Sequence, residues 1–236
     1  MRLAIMQPYF LPYLGYFALM KHTQQFILLD TVQYIRHGWI DRNRILKPDE
    51  GWQYIKVPLK KHSREICIKD VQIDNDQRWK VKILAQIQHY KKNAPHFEAI
   101  SKLLNRIFAE DYDSIVRLNL TGLKIICDYL KIDLHIDIFS AMNLKIEKPG
   151  APDEWALNIC KAIPGVSEYW NPPGGIEFFD KGKYLASSIE LRFLEMNLPP
   201  YNQRREVFTA GLSIIDVLMF NEPDSVNLML DNYVLL

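Results

Sequence analysis

Leu3-Ala4-Ile5-Met6-Gln7-Pro8-Tyr9-Phe10-Leu11-Pro12-Tyr13-Leu14-Gly15-Tyr16-Phe17 is the stretch whose reading decides the fold. Its first four residues form a short apolar run bounded by a turn, which predicts a buried strand. From Leu14 the apolar spacing turns helical, with Leu14, Phe17 and Lys21 stepping by three to four residues. Pro12 suits the first turn of that helix, where its missing N–H costs nothing. The chain therefore opens strand, tight turn, helix. In an open α/β sheet, ligands bind in the loop beyond a strand's carboxyl end. The free N–H groups at the following helix start attract anions. Gln7, Tyr9, Tyr13 and Tyr16 are the candidate ligand-binding side chains of this loop, and Gly15 permits close backbone approach.

Phe26-Ile27-Leu28-Leu29 reads as a second buried strand that ends at Asp30. A strand–helix–strand unit of this length is a parallel crossover, which sets Asp30 beside the Gln7 loop as another candidate binding residue. From Thr31 to Leu46 there is no clean period. This stretch holds Gln33, His37, Trp39, Asp41 and Asn43, together with Arg36, Arg42 and Arg44, and reads as a polar binding loop. The arginine forks suit phosphate or carboxylate, and Trp39 suits stacking on a base or sugar. His37 or Asp41 is the candidate general base, since neighbours can tune either toward neutral pH.

Further on, Trp52–Val57 alternates and is predicted to pair with Glu65–Ile73 as a hairpin across Lys60–Ser63. Three apolar stripes at helical spacing occupy residues 76 to 131. A strand over Leu134–Phe139 and a helix over Glu154–Ile163 come next. A strand over Val166–Tyr169 then runs into Asn171-Pro172-Pro173-Gly174-Gly175. Asn171, Gly174 and Gly175 make a second candidate ligand loop, whose tandem glycines offer backbone to an anion or a sugar. Glu190–Leu194 reads as a strand. Ser213 caps a helix with Asp216 as its capping-box partner, and a last short helix begins near Asp224. Strands thus alternate with helices. The expected fold is α/β, a single domain over 1–236 with a mainly parallel, Rossmann-like sheet and an inserted helical layer at about 76–131.

Composition removes several function classes. With 29 Lys and Arg against 28 Asp and Glu, the net charge is +1, so no global field favours nucleic acid or an anionic membrane. Three cysteines without a Cys-x-x-Cys, and six histidines without ligand spacing, predict neither a disulfide framework nor a metal site. Gly-x-Gly-x-x-Gly, the Walker loop and Gly-x-Ser-x-Gly are all missing, so neither a dinucleotide nor any other cofactor is expected. The N-terminal apolar run is too short for a signal peptide and no apolar run reaches membrane-spanning length, so a cytoplasmic protein is expected.

The opening Met6-Gln7-Pro8-Tyr9-Phe10-Leu11-Pro12-Tyr13-Leu14-Gly15-Tyr16 closely resembles the signature of the WbqC-like family. So do Gly38-Trp39-Ile40-x-Arg42-Asn43-Arg44, Tyr169-x-Asn171-x-x-Gly174-Gly175 and Leu212-Ser213-Ile214-Ile215-Asp216. That family belongs to bacterial surface-polysaccharide (O-antigen, lipopolysaccharide) gene clusters and has been suggested to include glycine transferases. The resemblance implies transfer of an aminoacyl or acyl group to a nucleotide-linked amino sugar. His37 or Asp41 would be the base, and Ser140 or the Gly174-Gly175 amides would serve the oxyanion. Two alternatives stand beside it. One is a nucleotide-sugar-binding protein without chemistry. The other is a nucleotidyltransferase-like, amino-acid-activating enzyme, against which Tyr13 and Tyr16 stand where such enzymes carry two imidazoles.

Overall fold

The computed structural model describes every residue except Leu134 and Pro199. Strand β1 (Arg2–Met6) buries Leu3, Ala4 and Ile5 on both its faces, as a strand in mid-sheet must. Helix α1 (Leu14–His22) follows and is buried from Leu14 to Met20, so it lies inside the molecule rather than on its surface. Strand β2 (Gln25–Leu28) returns parallel to β1. Next come β3 (Arg42–Leu46) and β4 (Trp52–Lys56), then helices α2 (Trp79–Gln86), α3 (Phe97–Ile107) and α4 (Ile115–Tyr129). The chain continues through β5 (Ile136–Ile138), α5 (Glu154–Ala162), β6 (Glu168–Asn171), α6 (Lys181–Ala186) and β7 (Glu190–Met196). It closes with α7 (Ile214–Phe220), α8 (Pro223–Leu230) and β8 (Tyr233–Leu235).

The main sheet has six strands in the order β5-β2-β1-β6-β7-β8, parallel throughout except for β8. Side chains alternate along β1. Leu3 and Ile5 face a core with α5 and α6, whereas Ala4 faces the larger core with α1, α4 and α7. Helices therefore cover both faces, as parallel sheets require. The fold is the expected α/β one, and the helical layer between β4 and β5 lies where the stripes predicted it.

Four local expectations are corrected. The hairpin partner of β4 is Arg42–Leu46, with Arg42 opposite Lys56 and Leu46 opposite Trp52. Residues 66–73 instead fold through a single 3₁₀ turn, Ile68–Asp70, because Ile68, Val71 and Ile73 all face the core while Lys69 and Asp70 face solvent. Pro12 precedes the N-cap of α1, Tyr13, so it stands just outside the first turn; its carbonyl accepts from Ile214 N–H. Ser213 does cap α7, accepting from Ile215 N–H at 3.2 Å. Its supposed partner Asp216 is turned into the core, where it accepts from Tyr90, Tyr201 and Gln203. Finally, the chain ends in a strand: β8 adds antiparallel to β7. Leu134, the start of the strand predicted over Leu134–Phe139, lies outside the described residues.

Candidate functional site

Strands β1 and β6 are neighbours at the centre of the sheet. From β1 the chain leaves toward β2 and from β6 it leaves toward β7, on opposite sides. That divergence is the topological switch point, where the two connections part and leave a crevice outside the strands' carboxyl ends. A cleft of about 670 Å³ opens there. One bank is the loop after β1, with Gln7, Tyr9 and Tyr13; the other is the loop after β6, with Asn171, Gly174 and Gly175. The start of α1 forms part of the floor.

Two glycines shape the cleft. A Cβ on Gly15 would lie 2.6 Å from Tyr13 Cε2 and 3.2 Å from Met196 Cγ, so only glycine lets the Tyr13 ring fold over the first turn of α1. A Cβ on Gly175 would lie 2.5 Å from Asn171 Nδ2 and 2.8 Å from Phe179 Cε2. Asn171 is buried, and its Oδ1 accepts from the Tyr169 hydroxyl at 3.2 Å, which fixes the amide at the head of the cleft.

The walls are aromatic. Trp39, Trp155 and Phe179 join Tyr9 and Tyr13. Burial raises the Tyr9 hydroxyl, and burial together with Tyr9 pushes Tyr13 up to about 12. Both phenols therefore stay protonated at neutral pH and can donate hydrogen bonds. Among the described lining residues, Glu195 carries the one charge. The cleft suits a ligand with flat apolar faces and many hydroxyls.

Other predicted residues hold this cleft in shape from outside it. Tyr16 is wholly buried and donates to the Gln7 carbonyl at 2.8 Å, so it braces the loop from the core. Asn43 is buried and donates to the carbonyls of Phe10 at 3.0 Å and Leu11 at 2.9 Å. Arg44 donates to the Gly211 carbonyl at 3.0 Å, with its guanidinium 5.2 Å from the Trp39 ring and 5.1 Å from the Trp52 ring. Asp30 is buried and accepts from Ser140 N–H at 3.0 Å and Ser140 Oγ at 2.6 Å, clamping β2 to the end of β5. Ser140 is thereby engaged as well. Gln33 donates to the Arg64 carbonyl at 2.7 Å, outside the cleft.

His37, Asp41 and Arg42 line a different cavity. Asp41 is buried and accepts from the Tyr34 hydroxyl at 2.9 Å. Arg42 donates to the carbonyls of His37 and Gly38 and stacks 4.2 Å from the Tyr54 ring centre. The structure thus brings together Gln7, Tyr9, Tyr13, Trp39, Asn171, Gly174 and Gly175, and sets the two candidate bases apart from them. Sequence reading missed Trp155, Phe179 and Glu195 as cleft residues. Glu195 had a signal, since it directly follows the strand predicted to end at Leu194.

The profile of the WbqC-like protein family matches residues 7–228. The chain belongs to this family. It is also similar to the uncharacterized protein Rv1507c of Mycobacterium tuberculosis (strain ATCC 25618 / H37Rv), at 29% identity over 223 residues that span 93% of each chain. No solved structure matches. Among the described residues of this WbqC-like protein, no three His, Cys, Asp or Glu side chains gather as a metal site would need. Among the same residues no helix is long and apolar enough to cross a membrane.

Proposed function

We propose that this WbqC-like protein is a cytoplasmic transferase of surface-polysaccharide biosynthesis. It places an aminoacyl or acyl group on the amine of a soluble, nucleotide-linked amino sugar seated in the switch-point cleft. The observation that carries the reading is the cleft's composition: aromatic walls, neutral hydrogen-bonding groups and a single carboxylate. Aromatic faces pack on the C–H faces of a sugar ring. Gln7, Asn171 and the neutral Tyr9 and Tyr13 hydroxyls answer its hydroxyl groups. The donor is an activated acyl group, a thioester or acyl phosphate. As the amine nitrogen bonds to its carbonyl carbon, the carbon–sulfur or carbon–oxygen bond breaks and the thiolate or phosphate leaves, while Glu195, in place of the remote His37 and Asp41, faces the amine and accepts its proton. The start of α1, where Tyr13 and Gly15 line the cleft, offers its first N–H groups to the diphosphate. Arg44 acts at one remove, by holding Trp39.

A second reading, a nucleotide-sugar-binding protein without chemistry, is favoured by one feature. Among the described lining residues there is no histidine, lysine or cysteine.

Thermal unfolding against UDP- and dTDP-linked amino sugars, with ATP, coenzyme A and glycine alongside, tests the proposal. At a hundredfold excess over Kd, a native-state ligand stabilises by about 2.7 kcal/mol, a rise of roughly 5–10 °C for a chain of this size. The expected result is a rise with amino-sugar nucleotides and a smaller one with their N-acetylated counterparts. Glu195→Gln removes that difference. Mass spectrometry of the sugar then reads the transfer. A rise with ATP alone, joined by ATP–pyrophosphate exchange, moves the protein to amino-acid activation, and no rise across the panel overturns the cleft assignment.

A further inference from the structure

The turn that carries Trp39 into the cleft has a second side. Arg36, His37, Asp41 and Arg42 line a separate cavity of about 360 Å³, completed by Tyr34, Lys56 and residues 59–62. The chain as a whole balances 29 basic against 28 acidic residues. The cavity does not: five of its ten lining residues are Lys or Arg, and one is an acid.

That acid is already matched. Asp41 is 3% exposed, accepts from Tyr34, and has Lys56 Nζ 3.8 Å away. Arg42 is occupied by the turn's own carbonyls and by Tyr54. Arg36, Lys60 and Lys61 remain. All three are exposed and none has a carboxylate partner among the described residues; Lys60 Nζ makes one long bond, 3.4 Å, to the neutral Gln72 Oε1. Like charges gathered without counterions repel one another, an arrangement that folding alone does not favour. The backbone is held in an unusual shape at the same place. His37 sits at φ +65°, and the Arg42 guanidinium grips its carbonyl. Non-glycine residues in that region carry strain and cluster at functional sites. A neighbouring hollow of about 350 Å³ shares Tyr34, Arg36 and His62 and adds Arg64, so the basic lining continues beyond a single phosphate's reach.

We propose that this cavity is a polyphosphate-binding site, taking a diphosphate or triphosphate through Arg36, Lys60 and Lys61. Arginine supplies a two-pronged fork and the lysines supply mobile point charges. The bearer of the polyphosphate is a nucleotide or a lipid-linked diphosphate. The site is separate from the cleft and does not depend on an amino sugar binding there.

The test is calorimetric titration of the full chain with inorganic tripolyphosphate, pyrophosphate and sulfate at one ionic strength. Saturable binding of one tripolyphosphate is expected, at least tenfold tighter than sulfate. Arg36→Gln combined with Lys61→Gln should weaken it tenfold or more while leaving the melting temperature of the free protein in place. Lys124→Gln, an exposed lysine on α4 outside the cavity, should leave the affinity unchanged. Competition by ATP identifies a nucleotide as the bearer. Competition only by vesicles carrying a polyprenyl diphosphate identifies the lipid form. Equal, weak binding of sulfate and tripolyphosphate overturns the site, as does an equal loss in the Lys124 variant. Tryptophan quenching by an amino-sugar nucleotide in the Arg36→Gln, Lys61→Gln variant reports on the cleft with the polyphosphate site removed, so failure of one assignment leaves the other standing.

Discussion

Replacing Asn43 with alanine should damage both the stability and the cleft of this protein. The side chain makes three hydrogen bonds: it donates to Phe10 O and Leu11 O and accepts from Arg44 N–H. Leu11 O keeps a second donor, Ser213 Oγ at 2.7 Å. Phe10 O has no other donor among the described residues. The bonds to Leu11 O and from Arg44 N–H are worth about 1 kcal/mol each and the stranded Phe10 carbonyl costs about 1–3 kcal/mol, so Asn43→Ala should cost roughly 3–5 kcal/mol. For a chain of this length that is a fall in melting temperature of roughly 6–20 °C. The loop has a reason to move once released. Leu11 sits at φ +44°, a conformation that costs a non-glycine residue on the order of 1–3 kcal/mol. Relaxation there carries Tyr9 and Tyr13 with it, and ligand affinity at the cleft should fall along with stability. Urea unfolding of Asn43→Ala, Ser213→Ala and the double variant measures the effect. The two donors share the Leu11 carbonyl, so losing both strands it, and the double variant should cost about 1 kcal/mol more than the sum of the singles. A cost below about 1 kcal/mol for Asn43→Ala, or strict additivity, would refute the account of how the loop is held.

Adjacent glycines should behave differently. Gly175→Ala drives a Cβ into Asn171 and Phe179 and should cost about 1–3 kcal/mol and abolish cleft binding, whereas Gly174→Ala meets nothing within 4 Å and should be near neutral in both assays. Asp216 lies buried against Tyr90, Tyr201 and Gln203, and burial, the largest influence on it, raises its carboxyl above the usual range. A raised native value means the stabilising contribution is intact below about pH 4 and is lost as the pH climbs through that value. Asp216→Asn, which does not titrate, should therefore cost most in acid and progressively less toward pH 7 in urea unfolding, and a cost that grows with pH would contradict this. Burial pushes the Cys127 thiol up to about 12 and raises Cys160 too. In the native protein iodoacetamide should therefore modify the half-buried Cys67 first, with peptide mass spectrometry as the readout.

The apolar run Leu3–Met6, the helix from Leu14 and the three stripes between residues 76 and 131 were legible because spacing reports which face of an element is buried. The switch point was not legible, since it depends on β1 pairing with β6 across more than 160 residues, and no local pattern encodes a partner that distant. The same limit explains the stretch from Thr31 to Leu46. Its richness in polar side chains reads as one binding loop, yet those side chains divide into two kinds. Asn43 reaches back to Phe10, Arg44 reaches forward to Gly211, and Asp41 closes on Tyr34; these serve the backbone and the packing. Arg36 and Trp39 keep open faces toward the two cavities. A polar residue looks the same in sequence whether it satisfies a buried carbonyl or waits for a ligand, and only long-range packing decides which. The consequence for mutagenesis is direct: substitutions at Asn43 and Arg44 should be read first as changes to the shape of the cleft. Substitutions at Trp39, Glu195 and Arg36 test recognition itself.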